Sequence, residues 1–195
     1  MKLNSSPQKL LFQLNRNHVY RREDLLVYSK SLDRNLKYLV NNDYLKKVGP
    51  GLYLYPKVST WGPLPAELKS LVKSFLKSDN FLLLSNNDYN NLGLGLTQLW
   101  NEVRVFNKKR HVKLKLGNFN LDFQIPFNGY PKKLTKEFLL IDLFNSLADV
   151  GEDLEELKRK IVNVLEIYDS AQLFKLSKQY GKVATKKYFE KILSR

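Results

Sequence analysis

Lys30, Arg34, Lys37, Tyr38 and Asn41 recur at a spacing that brings them together only on a helix. At roughly 100° per residue they fall opposite Leu32, Leu36, Leu39 and Val40, whose aliphatic side chains can face a core. The chemistry on offer is recognition of a polyanion. An arginine fork can grip guanine through two hydrogen bonds, a lysine can neutralise a phosphate, and a tyrosine can reach a phosphate or a thymine methyl. Arg21 and Arg22 upstream, Ser31 at the helix start, and Lys46 and Lys47 downstream add polar and positive groups in reach of backbone phosphates.

The surrounding residues supply the elements that must hold this face in place. Ser29 or Ser31 can cap the helix start, where a hydroxyl satisfies an otherwise orphan N–H, and Asn41 and Asn42 end it. Residues 44–48 and 52–55 then pair around Gly49-Pro50-Gly51, a turn suited to a hairpin. Ahead of them, residues 22–28 form a second helix, residues 19–20 a short extended segment, and residues 7–14 a helix with Leu10, Leu11 and Leu14 on one side. Three helices and a hairpin within 58 residues predict a winged helix-turn-helix DNA-binding domain over 1–58.

Composition points the same way. The chain has 195 residues and a formal charge of +14, which favours a polyanionic partner. Residues 1–60 hold 11 Lys and Arg against 4 Asp and Glu, about twice the density of net positive charge found beyond them. With no cysteine, disulfides, thiolate metal sites and cysteine nucleophiles are excluded, and two histidines are too few for a histidine-rich metal centre. The N-terminus lacks the apolar run of a signal peptide, and no stretch approaches the roughly 20 apolar residues of a membrane span. A soluble cytoplasmic protein without cofactor or membrane contact is expected.

Residues 57–65 break all periodicity with two prolines and a glycine, and are expected to link to a second domain over 66–195. That domain opens with a helix at 66–77, a strand at 81–84 and a short helix or turn at 86–91. Residues 102–125 alternate, with Val103, Val105, Val112, Leu114, Leu116, Leu121, Phe123 and Ile125 on one face. A two-residue turn at Gly117-Asn118 and a four-residue turn at 107–110 predict a three-stranded antiparallel meander, with Lys113 opposite Asp122 and Glu102 opposite Lys115. Helices at 136–147, 154–165, 170–180 and 183–193 complete an α+β chain with a small antiparallel sheet and several helices.

Catalysis finds less support. Glu102 and Asp122 near Lys113 and Lys115 are the ingredients of a metal-dependent nuclease directed to DNA by the winged helix, yet charge pairing on a solvated sheet face explains them better. Gly93 and Gly95 lack the strand–turn–helix setting of a phosphate loop. Glu152, Asp153, Glu155 and Glu156 suit a helix N-terminus, where the macrodipole favours negative charge. A lysine stripe at Lys175, Lys178, Lys182, Lys186, Lys187 and Lys191 and the basic turn at residues 108–111 suit either extended DNA contact, an acidic partner or plain solvation. No catalytic residue and no metal ligand is assigned.

The segments HVYRREDLL and SLDRNLKYLVNNDYLKKVGPGLYLYP resemble the N-terminal winged helix of AbiEi-family antitoxins, which act as transcriptional regulators in type IV toxin–antitoxin systems. The stretch DYNNLGLGLTQLWNEVRVFNKKRHVKLKLGNFNLDFQI resembles the matching part of the same family, where a segment like Tyr89-Asn90-Asn91-Leu92-Gly93-Leu94 precedes strands with a basic turn. Arg21 stands where related sequences often place a threonine or serine cap. The resemblance implies an antitoxin in a phage-defence or plasmid-maintenance pair. It would repress its own operon by binding inverted repeats in promoter DNA, as a monomer in solution or a cooperative pair on DNA. It would also counteract a nucleotidyltransferase-type toxin, with no enzymatic activity and no cofactor.

Overall fold

A computed structural model of the chain describes residues 6–95, 102–146 and 154–193. It divides into two compact units, Met1–Asp79 with Leu114–Asn120, and Asn80–Lys113 with Leu121–Arg195. The whole is α+β, with helices packed on small sheets. No helix among the described residues is long and apolar enough to cross a membrane.

In the first unit the chain runs through α1 (Ser6–Phe12), β1 (His18–Arg21), a 3₁₀ helix (Arg22–Tyr28), α2 (Leu32–Asn41), β2 (Lys46–Gly49) and β3 (Leu52–Tyr55). The strands form an antiparallel sheet in the order β1-β3-β2, with His18 opposite Tyr55 and Arg21 opposite Leu52. Leu10, Leu14, Leu25, Leu32, Leu36, Leu39 and Leu45 close the core between the helices, and Tyr20, Tyr53 and Tyr55 cover it from one face of the sheet.

α2 stops for a reason visible in its backbone. Asp43 adopts a left-handed conformation at φ 57°, the Asp43 N–H donates to Val40 O at 3.1 Å and the Tyr44 N–H to Leu39 O at 2.9 Å. That pair of bonds is the Schellman motif, with an aspartate where glycine is usual. The Asn42 side-chain amide adds a bond to Tyr38 O at 2.9 Å, so the residues expected to end the helix do so. Its start differs from expectation. Ser31 holds the cap position but makes no side-chain cap bond. Ser29 instead accepts from the Ser31 N–H at 3.2 Å and from the Asn35 amide at 2.8 Å.

The expected boundary between 58 and 66 does not match this division. Residues 57–65 form a minimal hairpin, β4 (Val58–Ser59) and β5 (Gly62–Pro63), and the following helix α3 (Leu68–Leu76) belongs to the first unit. Leu71, Val72 and Leu76 are buried there. Ser74 Oγ donates to Val19 O of β1 at 3.4 Å, and Lys77 pairs with Glu23. An amphipathic helix shows which face it buries, but not which sheet it buries that face against.

The second unit holds β6 (Phe81–Leu84), α4 (Asn86–Asn90), β7 (Val103–Asn107), α5 (Lys136–Asn145), α6 (Leu154–Val164), a 3₁₀ turn (Leu165–Ile167), α7 (Ser170–Tyr180) and α8 (Val183–Leu193). With β8 (Val112–Leu116) and β9 (Phe119–Gln124), the strands give the order β6-β7-β9-β8. The meander is therefore overturned: β7 lies beside β9 in parallel, and β8 stands at the edge. The solvent exposure of the strands accounts for this. Arg104, Val105, Phe106 and Asn107 are all buried, as an inner strand requires, whereas Lys113 and Lys115 make β8 a charged edge. Asn107 turns the chain out after β7. Its Oδ1 accepts from the Lys109 and Arg110 N–H groups, and its Nδ2 donates to Gln124 O of β9 at 3.1 Å. The shared apolar face survives the change of order, because Val103 is paired with Leu121 and Val105 with Phe123. The β8–β9 turn at Gly117-Asn118 stands as expected, with Gly117 at φ 56°.

α5 is buried along its length from Phe138 to Phe144. Thr135 caps it by accepting from the Phe138 N–H, and Asp169 caps α7 by accepting from the Gln172 N–H. Gly181 separates α7 from α8 as expected, and a side chain there would meet Ser177 O at 2.5 Å. Of the acidic run expected at the head of α6, Glu152 and Asp153 lie outside the described residues, as does the expected end of the 136–147 helix.

Candidate nucleic-acid interface

α2 has two faces of opposite character. Leu32, Leu36 and Leu39 are buried, while Arg34, Lys37, Tyr38 and Asn41 are exposed, and Lys30 and Ser31 continue the exposed surface at the helix start. Tyr38 keeps 46% of its surface accessible, so its ring and hydroxyl are available to a partner. Among the described residues no acid lies within ion-pair distance of Lys30, Arg34, Lys37, Lys46 or Lys47. These charges are held out to solvent rather than used within the fold.

The other two basic positions are committed. Arg22 grips Asp33 with both ends of its fork, Nε to Oδ1 and Nη2 to Oδ2, each at 2.7 Å. The hydrogen bond and the attraction of the carboxylate hold the Arg22 pKa above its ordinary value, and the bond from Arg22 holds Asp33 below its own. Arg21 pairs with Glu23. Expected at phosphates, both arginines instead have acidic partners inside the unit. Arg22 ties the 3₁₀ helix to the first turn of α2, and its N–H donates to Gly51 O at 2.8 Å in the β2–β3 turn.

β2 separates the two lysines expected to act together. Lys47 is the cross-strand partner of Tyr53, on the face of the sheet that covers the α1–α2 core. Lys46 is the partner of Leu54 and lines a small cavity with Val48, Pro63 and Ala66 on the other face. Successive strand residues point to opposite faces, so only Lys47 shares a side of the sheet with α2.

Asn35 is a residue that the sequence pattern does not single out. It is 2% exposed, at the border of the apolar face of α2. Its Nδ2 donates to Ser6 Oγ of α1 and to Ser29 Oγ, both at 2.8 Å. The amide thereby fixes the helix that carries Arg34 and Lys37. A signal was present: on the wheel, position 35 lies about 40° from Leu39 at the border of the leucine face, where a polar residue that becomes buried demands a partner.

The carboxylates of the nuclease alternative are arranged around a lysine. Lys113 Nζ lies 2.8 Å from Glu102 Oε2 and 3.9 Å from Asp122 Oδ2. The Lys113–Asp122 pairing is as expected, but Glu102 meets Lys113 rather than Lys115. Asp122 Oδ2 also accepts from Gln124 Nε2 at 2.6 Å. Among the described residues no three His, Cys, Asp or Glu side chains are grouped to hold a metal ion. Gly93 and Gly95 follow α4 with positive φ, in a turn whose Leu92 and Leu94 are buried.

A second polar cluster, also unforeseen, lies inside the second unit. The Tyr89 hydroxyl donates to Asp142 Oδ2 at 2.5 Å. Arg104 Nη1 lies 3.4 Å from the same oxygen and donates to Ser146 Oγ at 3.1 Å. Burial pushes the Asp142 carboxyl above its ordinary value, against the downward pull of the Tyr89 bond and of the Arg104 and Lys182 charges. Burial, with Asp142 beside it, holds Tyr89 well above the usual phenol range. Comparison of the chain with family models, with curated proteins and with solved structures gave no match.

Proposed function

We propose that the first unit is a winged helix-turn-helix that binds double-stranded promoter DNA, with α2 as the reading helix and β2–β3 as the wing. The observation that carries this reading is the outer face of α2. Arg34, Lys37 and Tyr38 project from a helix anchored behind by Leu32, Leu36 and Leu39, and among the described residues no acid lies within ion-pair distance of Arg34 or Lys37. Arg34 reads a base edge, while Lys30, Lys37 and Lys47 meet phosphates. Arg22 keeps the helix and hairpin in register. The order of elements, α1-β1-3₁₀-α2-β2-β3, supports the same reading.

The resemblance of the sequence to AbiEi-family antitoxins extends the proposal. The chain represses its own operon at inverted repeats, and the second unit counteracts a nucleotidyltransferase-type toxin. Titration of labelled duplex from upstream of the gene tests the first half. It should bind at least about 10³-fold more tightly than random duplex at the same salt, and equal affinities would reject sequence-specific repression. Co-expression with an adjacent nucleotidyltransferase reading frame tests the second: growth should be restored by the full chain, and continued arrest would remove the antitoxin role.

A further inference from the structure

The second unit contains a half-open cavity of about 160 Å³, walled by β7, β9, α5 and the 180–182 turn. Its lining divides into two chemistries. Arg104 and Lys182 contribute positive charge, against the single carboxylate of Asp142. Phe106, Phe127 and Phe138 contribute aromatic surface. Phe138 meets Phe106 edge-on at 6.4 Å between ring centroids, so the aromatic wall is packed in place. Phe127 is fully exposed at the mouth.

The rim that presents Lys182 is fastened. Asn128 Nδ2 donates to Gly181 O at 2.8 Å and Asn145 Nδ2 to Tyr180 O at 3.0 Å. The Lys182 N–H donates to Asn145 Oδ1 at 2.7 Å. Among the described residues no acid lies within ion-pair distance of the Lys182 ammonium. Lys182, with no acid in ion-pair distance among the described residues, and the exposed Phe127 ring line one cavity with excess positive charge, which suits an anion that carries its own apolar ring.

Size narrows the class. A cavity of roughly 150 Å³ accommodates benzene, so this one holds one six-membered ring and a substituent. A nucleotide, with base, sugar and phosphate, is too large to be enclosed. A divalent cation is disfavoured by two positive side chains against one carboxylate. A bare phosphate would leave Phe127 uncovered.

We propose that this cavity binds a small single-ring carboxylate, with its carboxylate group at Lys182 and Arg104 and its ring against Phe127, Phe106 and Phe138. The site lies wholly within the second unit, and the proposal does not depend on DNA binding.

Calorimetric titration of the full chain with benzoate, cyclohexanecarboxylate, benzyl alcohol and inorganic phosphate tests it. At least one ring carboxylate should bind at least tenfold more tightly than both the alcohol and the phosphate. Lys182→Glu alters an exposed side chain and should lower that affinity at least tenfold while the far-UV circular dichroism stays that of the parent. Phe127→Ala should lower it several-fold. The proposal is overturned if neither ring carboxylate binds, if benzyl alcohol or phosphate binds as well, or if Lys182→Glu binds like the parent.

Discussion

In the first unit, Arg34 and Lys37 stand on the exposed side of α2, with no acid in reach among the described residues. In the second, Arg104 and Asp142 are each 6% exposed and share their bonds with Tyr89 and Ser146. The two regions use charge in opposite ways. A solvated cation on a helix surface contributes little to folding, so it can be kept for a partner at small internal expense. A buried ion pair is tied to the fold, because removing one member leaves the other desolvated and unpaired. Charges that matter for binding and charges that matter for stability should therefore separate cleanly under mutation.

The largest effect should come from breaking the buried pair. Asp142→Ala should lower the unfolding free energy by about 3–5 kcal/mol, read from urea denaturation of the full chain. Asp33→Ala, which breaks the exposed pair with Arg22, should shift the midpoint far less. Equal losses would erase the contrast between the two regions.

Arg34→Ala should reverse the pattern. The melting temperature should stay at the parent value, while affinity for upstream duplex falls by roughly 1–3 kcal/mol and discrimination at one base pair relaxes. A finer test separates the two lysines of β2. Lys47→Ala should weaken binding to all duplexes alike and reduce the salt dependence by about one unit, whereas Lys46→Ala, on the other face of the sheet, should leave both nearly unchanged. Matching effects would show that the face of β2 does not decide which lysine meets DNA.

The smallest effect is an alkaline one in the second unit. Burial pushes the Tyr168 phenol up to about 12, and its hydroxyl donates to Leu92 O at 2.7 Å. A raised pKa means that the fold favours the protonated form. This contribution is complete below the unfolded value of 10 and is lost as pH rises from 10 to about 12. Stability should fall across that window. For this one buried ring the slope should not exceed the roughly 1.4 kcal/mol per pH unit of a full proton. Tyr168→Phe should flatten it, as measured by denaturation at stepped pH.

Local signals in the sequence were legible, and long-range ones were not. β3, β6, α7 and α8 keep the bounds that periodicity and breakers predict, and α2 ends at the asparagines that were expected to end it. These outcomes depend on neighbours within one or two turns. The strand order β7-β9-β8 was hidden, because alternation assigns residues to a face and a meander satisfies the same faces. The packing of α3 with β1 was hidden for a similar reason. The partners of Arg22, Asn35 and Arg104 lie 11, 29 and 38 residues away, at Asp33, Ser6 and Asp142, distances over which spacing carries no information. That Arg34, Lys37 and Tyr38 share one exposed helix face was legible, but the acidic partners of Arg21 and Arg22 were not.

The most direct measurement is the salt dependence of binding to upstream duplex. With Lys30, Lys37 and Lys47 displacing counterions at phosphates, log K should fall against log salt with a slope of roughly −3. The slope should become shallower by about one unit in Lys37→Ala. A slope near zero, or one that Lys37→Ala leaves unchanged, would contradict the assignment of the α2 face to DNA.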